Sequence, residues 1–257
     1  MPLYDYHTHT KRSDGKHSHQ EMIDQAKKIG LKEFGISDHF CLHQPKWSMN
    51  EADTYKALED LAKIKRKEKS IAIKIGLEVD YIPGQMEKLE QITAHPALDY
   101  VIGAVHYIDD WNFDTGDKAI KKITPEHYRK YYNLVAEAAD SGLFDFIAHF
   151  DLIKKFNKLP ANLPKAATLK ALDSIARNDV ALELNTNGVN KPCKAFYPDT
   201  EWIEEAAKRN IPMLINSDAH NITQISQHNS TAREQLRLRG INETVGFTQR
   251  KRYPLPL

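Results

Sequence analysis

A parallel α/β barrel is the architecture that this sequence predicts. Short apolar runs alternate with longer amphipathic segments along the chain, the pattern of strand–helix units around a parallel sheet. Seven such units follow one another, which suits closure into a barrel better than an open sheet. Where a doubly wound nucleotide-binding fold would place a glycine fingerprint after its first strand, this chain has His7-Thr8-His9-Thr10. Its 257 residues are a length that such barrels often reach as one unit.

The elements follow in order. The first strand is expected over residues 4–9. A helix follows over 18–30, with Met22, Ile23, Ala26 and Ile29 at helical spacing and Gly30 as its stop. The second strand is placed at 33–38. The next helix, 50–69, opens on Asn50 as a capping residue and closes on a basic run suited to a helix C-terminus. An unusually long third strand, 70–82, leads to a helix over 84–95. Strand 99–106 precedes helix 125–141, which ends at Gly142. Strand 145–151 precedes helix 164–178, strand 180–186 precedes helix 200–210, and strand 211–217 precedes helix 230–239, which ends at Gly240. No repeat, low-complexity tract or Gly/Ser linker divides the chain, so residues 1–257 are read as one domain.

Bulk properties exclude several classes. With 41% hydrophobic and 28% charged residues, the composition suits a water-soluble core-forming chain. The formal net charge of +1 provides no global field to attract nucleic acid or a membrane surface. Cys41 and Cys193 are the only cysteines and form no CxxC pair, which suits a reducing, cytoplasmic setting. No signal-peptide pattern is visible, and no stretch approaches the roughly 20 apolar residues that span a bilayer.

Chemistry in parallel barrels gathers at the C-terminal ends of the strands, and metal-capable side chains stand there repeatedly. The first strand ends in His7 and His9, the second in Asp38 and His39. The third carries Glu78, the fourth ends at His106 and the fifth at His149. The seventh runs into Asp218 and His220. Side chains at i and i+2 of a strand share a face, so His7 and His9 can enter one cavity, as can Asp218 and His220 if the strand extends that far. Imidazoles mixed with carboxylates suit Zn, Mn or Fe better than Ca or Mg. Taken singly, His106 or His149 reads as a hydrogen-bonded core residue, Glu78 as a solvent-facing carboxylate and Asp218 as a helix cap. Their joint occurrence at strand ends favours a site. His17, His19, His43, His95, His127 and His228 fall in predicted helices or loops, where exposure is expected for most of them.

The segments DYHTHTKRSDG, GISDHF, GLEVDYI, VIGAVHY, IAHFDLIKK, LELNTNG and INSDAH occur in an order that resembles the polymerase-and-histidinol-phosphatase (PHP) family. GLEVDYIPG, VIGAVHY, DWNFD, HFDLIKKF and LELNTNGVNKP together are similar to its histidinol-phosphate phosphatase branch. The resemblance spans residues 4–220. It implies a distorted (β/α)7 barrel with two to three divalent transition-metal ions, Zn, Mn or Fe. It also implies hydrolysis of a small-molecule ester, L-histidinol phosphate, to L-histidinol and phosphate.

Carried over position by position, the resemblance gives His7, His9, Glu78 and Asp218 to a first ion. It gives Glu78, His106 and His149 to a second, with Glu78 bridging. Asp14, His39 and His220 go to a third, with His17 the alternative to Asp14. Catalytic roles fall to Glu78, Asp218 and His220. For the phosphate, the same positions offer Lys154 or Lys155, and Lys191, while Asn190 stands where relatives carry a basic residue. Trp111 and Phe113 could face the substrate imidazole or pack within their loop. Competing readings are a PHP phosphoesterase acting on nucleotides or nucleic-acid ends, and a non-catalytic metal-binding module. The first calls for a basic stripe with stacking aromatics, and Lys63–Lys69 and Arg250–Arg252 are only short clusters.

Overall fold

Parallel strand pairing dominates the molecule, as βα alternation requires. The structure is a computed structural model and describes residues 4–115, 123–157, 159 and 161–257. Strand β1 (Tyr4–Asp5) pairs with β2 (Glu33–Ile36), and β2 with β4 (Ala72–Ile75). A second run of parallel pairs links β3 (His39–Phe40), β5 (Glu78–Asp80), β6 (Ile102–Ala104), β9 (Phe146–Ile147), β10 (Ala181–Asn185) and β11 (Met213–Asn216) in that order. A parallel bridge between Thr8 and Ala219 joins the first strand segment to the last. The barrel therefore has seven strand positions, two of which are broken into β2/β3 and β4/β5.

Those breaks correct the expectation of one long third strand. They have a steric cause. The Tyr100 side chain crosses the barrel interior, and its hydroxyl donates to the Tyr6 carbonyl. A Cβ at Gly76 would collide with the Tyr100 ring, and one at Gly35 would collide with its hydroxyl oxygen. The two strands pass this ring only as glycine, and a strand interrupted by glycine bends there. Beyond the break, β3 and β5 turn His39 and Glu78 into register with each other. The first strand is also shorter than expected, because residues 7–10 leave the ladder to reach the site.

The helices lie where apolar periodicity placed them. Ser18 caps His19–Lys28 in a reciprocal capping box with Glu21, Asn50 caps Glu51–Lys67, and Thr124 precedes Pro125–Asp140 with proline in the first turn. Met86–Thr93, Lys165–Arg177, Thr200–Lys208 and Asn229–Arg237 complete the set among the described residues. Among them, no helix is long and apolar enough to cross a membrane.

Two antiparallel hairpins add to the expected alternation. β7 (Tyr107–Ile108) pairs with β8 (Trp111–Asn112) beside the site. At the other end of the chain, β12 (Glu243–Thr248) pairs with β13 (Lys251–Pro256). Val245, Phe247 and Leu255 of this second hairpin pack with Tyr4, Tyr6, Tyr100, Phe146 and Leu214. The hairpin thus seals the barrel interior, and Lys74 ties it in by donating to the Thr248 and Tyr253 hydroxyls. Phe247→Ala should therefore lower unfolding free energy by about 3–5 kcal/mol, the usual cost of deleting a buried phenyl ring. Denaturant unfolding measures it, and a cost near zero would show the plug to be dispensable.

Candidate active site

The site assembles around Glu78, a carboxylate only 1% exposed. Its two oxygens lie 3.1 Å from His7 Nε2, 3.4 Å from His9 Nε2, 2.9 Å from His39 Nδ1, 2.9 Å from His149 Nε2 and 4.0 Å from His106 Nε2. Asp218 Oδ1 stands 3.3 Å from His9 Nε2, and Asp14 Oδ2 lies 3.2 Å from His220 Nε2. Three groupings follow: His7, His9 and Glu78; Glu78, His106 and His149; and His9, Asp14, His39 and His220. Eight of the nine sequence-proposed ligands fall in these groupings, and the ninth, Asp218, stands outside them but beside His9 at 3.3 Å. His9 enters the third grouping as well as the first, and His17 enters none among the described residues.

Whether these residues suit bound cations can be judged from their orphaned atoms. His7 Nε2, His9 Nε2, His39 Nδ1 and Glu78 Oε2 are buried and without a hydrogen-bond partner among the described residues. His39 Nδ1 is close to Glu78 Oε2, yet the pair lacks hydrogen-bond geometry. Buried polar atoms are normally satisfied. Lone pairs that crowd together without bonding one another are what ligands of shared cations look like, so the donor set fits Zn, Mn or Fe.

The outer partners set each ring's orientation. Glu183 accepts from His7 Nδ1 at 2.7 Å and Asp80 from His106 Nδ1 at 3.0 Å, which turns each Nε2 lone pair inward. Glu183 also accepts from the His149 backbone N–H at 2.9 Å and from the Asn185 and Asn216 side-chain amides. Neither Glu183 nor Asp80 was proposed from sequence. For Glu183, a carboxylate inside the otherwise apolar run of residues 180–184 was the available signal.

Two further buried aspartates hold the ligand-bearing loops. Asp38, which sequence reading grouped with metal-capable side chains, instead accepts from the Thr10 N–H at 2.6 Å, the Thr10 hydroxyl at 2.7 Å and the Ser13 hydroxyl at 2.6 Å. It thereby fixes the turn carrying Asp14. His19 is buried beside it rather than exposed, its Nε2 facing the Asp38 carboxylate at 3.5 Å. Asp5 accepts from the Ser217 N–H, the Ser217 hydroxyl and the Ser226 N–H, and so holds the loop bearing Asp218 and His220. His149 and Asp218 both take positive φ, 26° and 50°, conformations that need such surrounding support.

The local field favours added positive charge. Burial alone would raise the Glu78 pKa, but the His39 and His7 imidazoles hold it well below the usual carboxylate range. Burial likewise opposes a proton on His7, yet Glu183 and Glu78 raise its pKa well above the ordinary imidazole value. Burial also opposes protonation of His106 and His220. Asp80 outweighs it and raises His106 to about 10, while Asp14 and Asp218 raise His220 to about 9. His9 goes the other way, to about 4, through burial and the neighbouring His39 and His220. Cations binding here would replace those protons, which links affinity to pH.

Glu78, His106, His149, Asp218, His220 and Asp14 line a cavity of about 290 Å³. Lys155 and Lys191 line it too, as do Trp47, Asn112, Asp114 and Tyr197. Lys154 does not: it is 5% exposed and engaged by Asp151 at 2.8 Å and Asp199 at 2.6 Å. Trp111 and Phe113 are also absent from its walls. Phe113 packs edge-on against Tyr131, and Trp111 lies against His127 outside the cavity. Both thus follow the loop-packing alternative, and the aromatic part of the wall is Trp47, edge-on to His39 at 4.8 Å, with Tyr197.

The PHP domain family profile matches residues 5–187. A Deinococcus radiodurans protein named as a probable histidinol-phosphatase is 35% identical over 98% of this chain and 99% of its own length. A Bacillus subtilis histidinol-phosphatase is 23% identical over 78% of this chain and 86% of its own. In fold, the chain is similar to a Lactococcus lactis histidinol phosphate phosphatase solved with zinc, L-histidinol and phosphate. The TM-score is 0.80 at 21% identity, covering 98% of this chain and 100% of that one.

Purified protein should carry more than one equivalent of transition metal by elemental analysis. Asp14→Ala should lose part of that complement while His17→Ala retains it, and the opposite pattern would move the third grouping to His17. Glu183→Gln should weaken metal affinity by roughly 10–100-fold, the usual effect of removing a histidine's outer partner. Metal-competition titration reads that change.

Proposed function

This chain belongs to the PHP family, and from that premise we propose that it hydrolyses L-histidinol phosphate to L-histidinol and inorganic phosphate. The observation that carries the reading is one small cavity where the clustered cation ligands meet two lysines. The near full-length relatives named histidinol-phosphatase support the substrate. The whole of residues 1–257 acts as one cytoplasmic domain in this reading, in histidine biosynthesis.

Phosphate-monoester hydrolysis is among the slowest uncatalysed reactions. When bound, divalent cations supply Lewis acidity, which neutralises phosphoryl oxygens and makes hydroxide available near neutral pH. The chain's own residues do the rest. His7, His9, Glu78 and Asp218 would hold the first ion, Glu78, His106 and His149 the second, and Asp14, His39 and His220 the third, with His9 beside them. Glu183 and Asp80 keep His7 and His106 in the tautomer that faces inward. Lys155 and Lys191 meet the phosphate with charge-assisted hydrogen bonds. The departing alkoxide needs a proton, which in this reading reaches it from solvent through Asp218 or His220, both partly exposed at 14% and 26% in the cavity wall.

With equal metal loading, kcat/KM for histidinol phosphate should exceed that for an aryl phosphate and for nucleoside monophosphates by at least about tenfold. That ratio requires only about 1.4 kcal/mol of extra transition-state stabilisation. A nucleotide preferred over histidinol phosphate would replace the substrate with that of a nucleotide-directed phosphoesterase. No phosphate release from any of them, with metal bound, would leave a binding module.

A further inference from the structure

The two lysines in the cavity are not equivalent. Lys155 Nζ lies 2.6 Å from Asp114 Oδ1 and 3.4 Å from the Asp114 carbonyl oxygen, and both residues line the cavity. Their side chains are only 15% and 23% exposed, so solvent screens the pair weakly. Lys191 forms no ion pair among the described residues. One phosphate-facing cation is therefore already matched with an anion, while the other is available.

That pairing imposes a condition on what can bind. A phosphate dianion that recruits Lys155 takes it from Asp114 and leaves a partly buried carboxylate without its ion-pair partner among the described residues, an unfavourable arrangement. The penalty disappears if the incoming molecule brings its own cation to Asp114. We propose that Asp114 and Lys155 form an exchange pair that selects phosphate monoesters carrying an ammonium group. On binding, Lys155 passes to the phosphate and Asp114 to the substrate's ammonium, so both charges change partners and none is stranded. This rests on the substrate reading above and adds to it the residue that sets the choice. Backbone geometry supports a fixed Asp114: its N–H is held by the Asn112 side-chain oxygen at 2.9 Å, and Phe113, next to it, is buried.

The exchange has a second consequence. Inorganic phosphate has no cation to offer, so Asp114 weakens its hold on the cavity after the alcohol has left. The pair therefore favours the zwitterionic substrate and opposes retention of the product anion.

The test is Asp114→Asn, which keeps the shape and removes the charge, with Asp114→Ser as a second variant and thermal unfolding to confirm folding. In both, kcat/KM for histidinol phosphate should fall by at least about tenfold, a loss of about 1.4 kcal/mol. With Lys155 released, kcat/KM for an aryl phosphate should rise and the inhibition constant of inorganic phosphate should fall. Opposite movement of the two substrates is the signature. Equal losses on both would make Asp114 a structural support, and unchanged values would remove it from recognition; either result overturns the proposal. The aryl phosphate and inorganic phosphate arms can be read even if wild-type protein ignores histidinol phosphate. In that event the substrate reading fails separately from the exchange pair.

Discussion

Five imidazoles crowd around the carboxylate of Glu78, which is buried at the mouth of the barrel. An ion in that position is costly unless surrounded by opposite charge, and removing a partner from such a cluster leaves the rest uncompensated. Much of the surrounding structure serves this requirement. β5 can present Glu78 only because the strand breaks at Gly76, and β3 delivers His39 alongside through the matching break after Gly35. Both glycines are dictated by Tyr100, which fills the interior and donates to the Tyr6 carbonyl. Two residues beyond Tyr6, Thr8 makes the bridge to Ala219.

Closure of the barrel completes the site. The family profile ends at residue 187, yet Asp218 and His220 stand beyond it, on the loop after β11. The Thr8–Ala219 bridge sets that loop against the His7-Thr8-His9 segment, and Asp5 fixes it from behind through Ser217 and Ser226. The interactions that close the fold therefore also position the last two candidate ligands.

Much of this was legible in the sequence, for a physical reason. A metal-capable side chain at the end of one apolar strand means little, but one at the end of nearly every strand points to the barrel's C-terminal mouth. Seven units were countable because most helices carry a cap or stop signal and an apolar stripe. The misses share a cause in tertiary contact. Nothing local in residues 70–82 shows that Tyr100 will press on Gly76. Glu183 and Asp80 sit in buried strands and act through His7 and His106, whose positions only the fold reveals. No strand was expected after residue 217, and the prolines of KRYPLPL suit no central strand; one strand of a two-stranded hairpin accepts them. Lys154 and Lys155 are adjacent and chemically identical, and only the turn at residues 152–154 sends one into Asp151 and the other into the cavity.

The contact of Tyr6 with Asn216 spans 210 positions, and its consequence lies in the order of synthesis. A ribosome makes His7 and His9 among the first residues of this segment and Asp218 and His220 only after every other strand of the barrel. Until then the early histidines have no closing loop beside them, and the apolar face of Tyr4, Tyr6 and Phe146 has no hairpin over it. The full set of candidate ligands is thus complete only late in the synthesis of each molecule, and truncation before residue 218 would remove Asp218 and His220 from it.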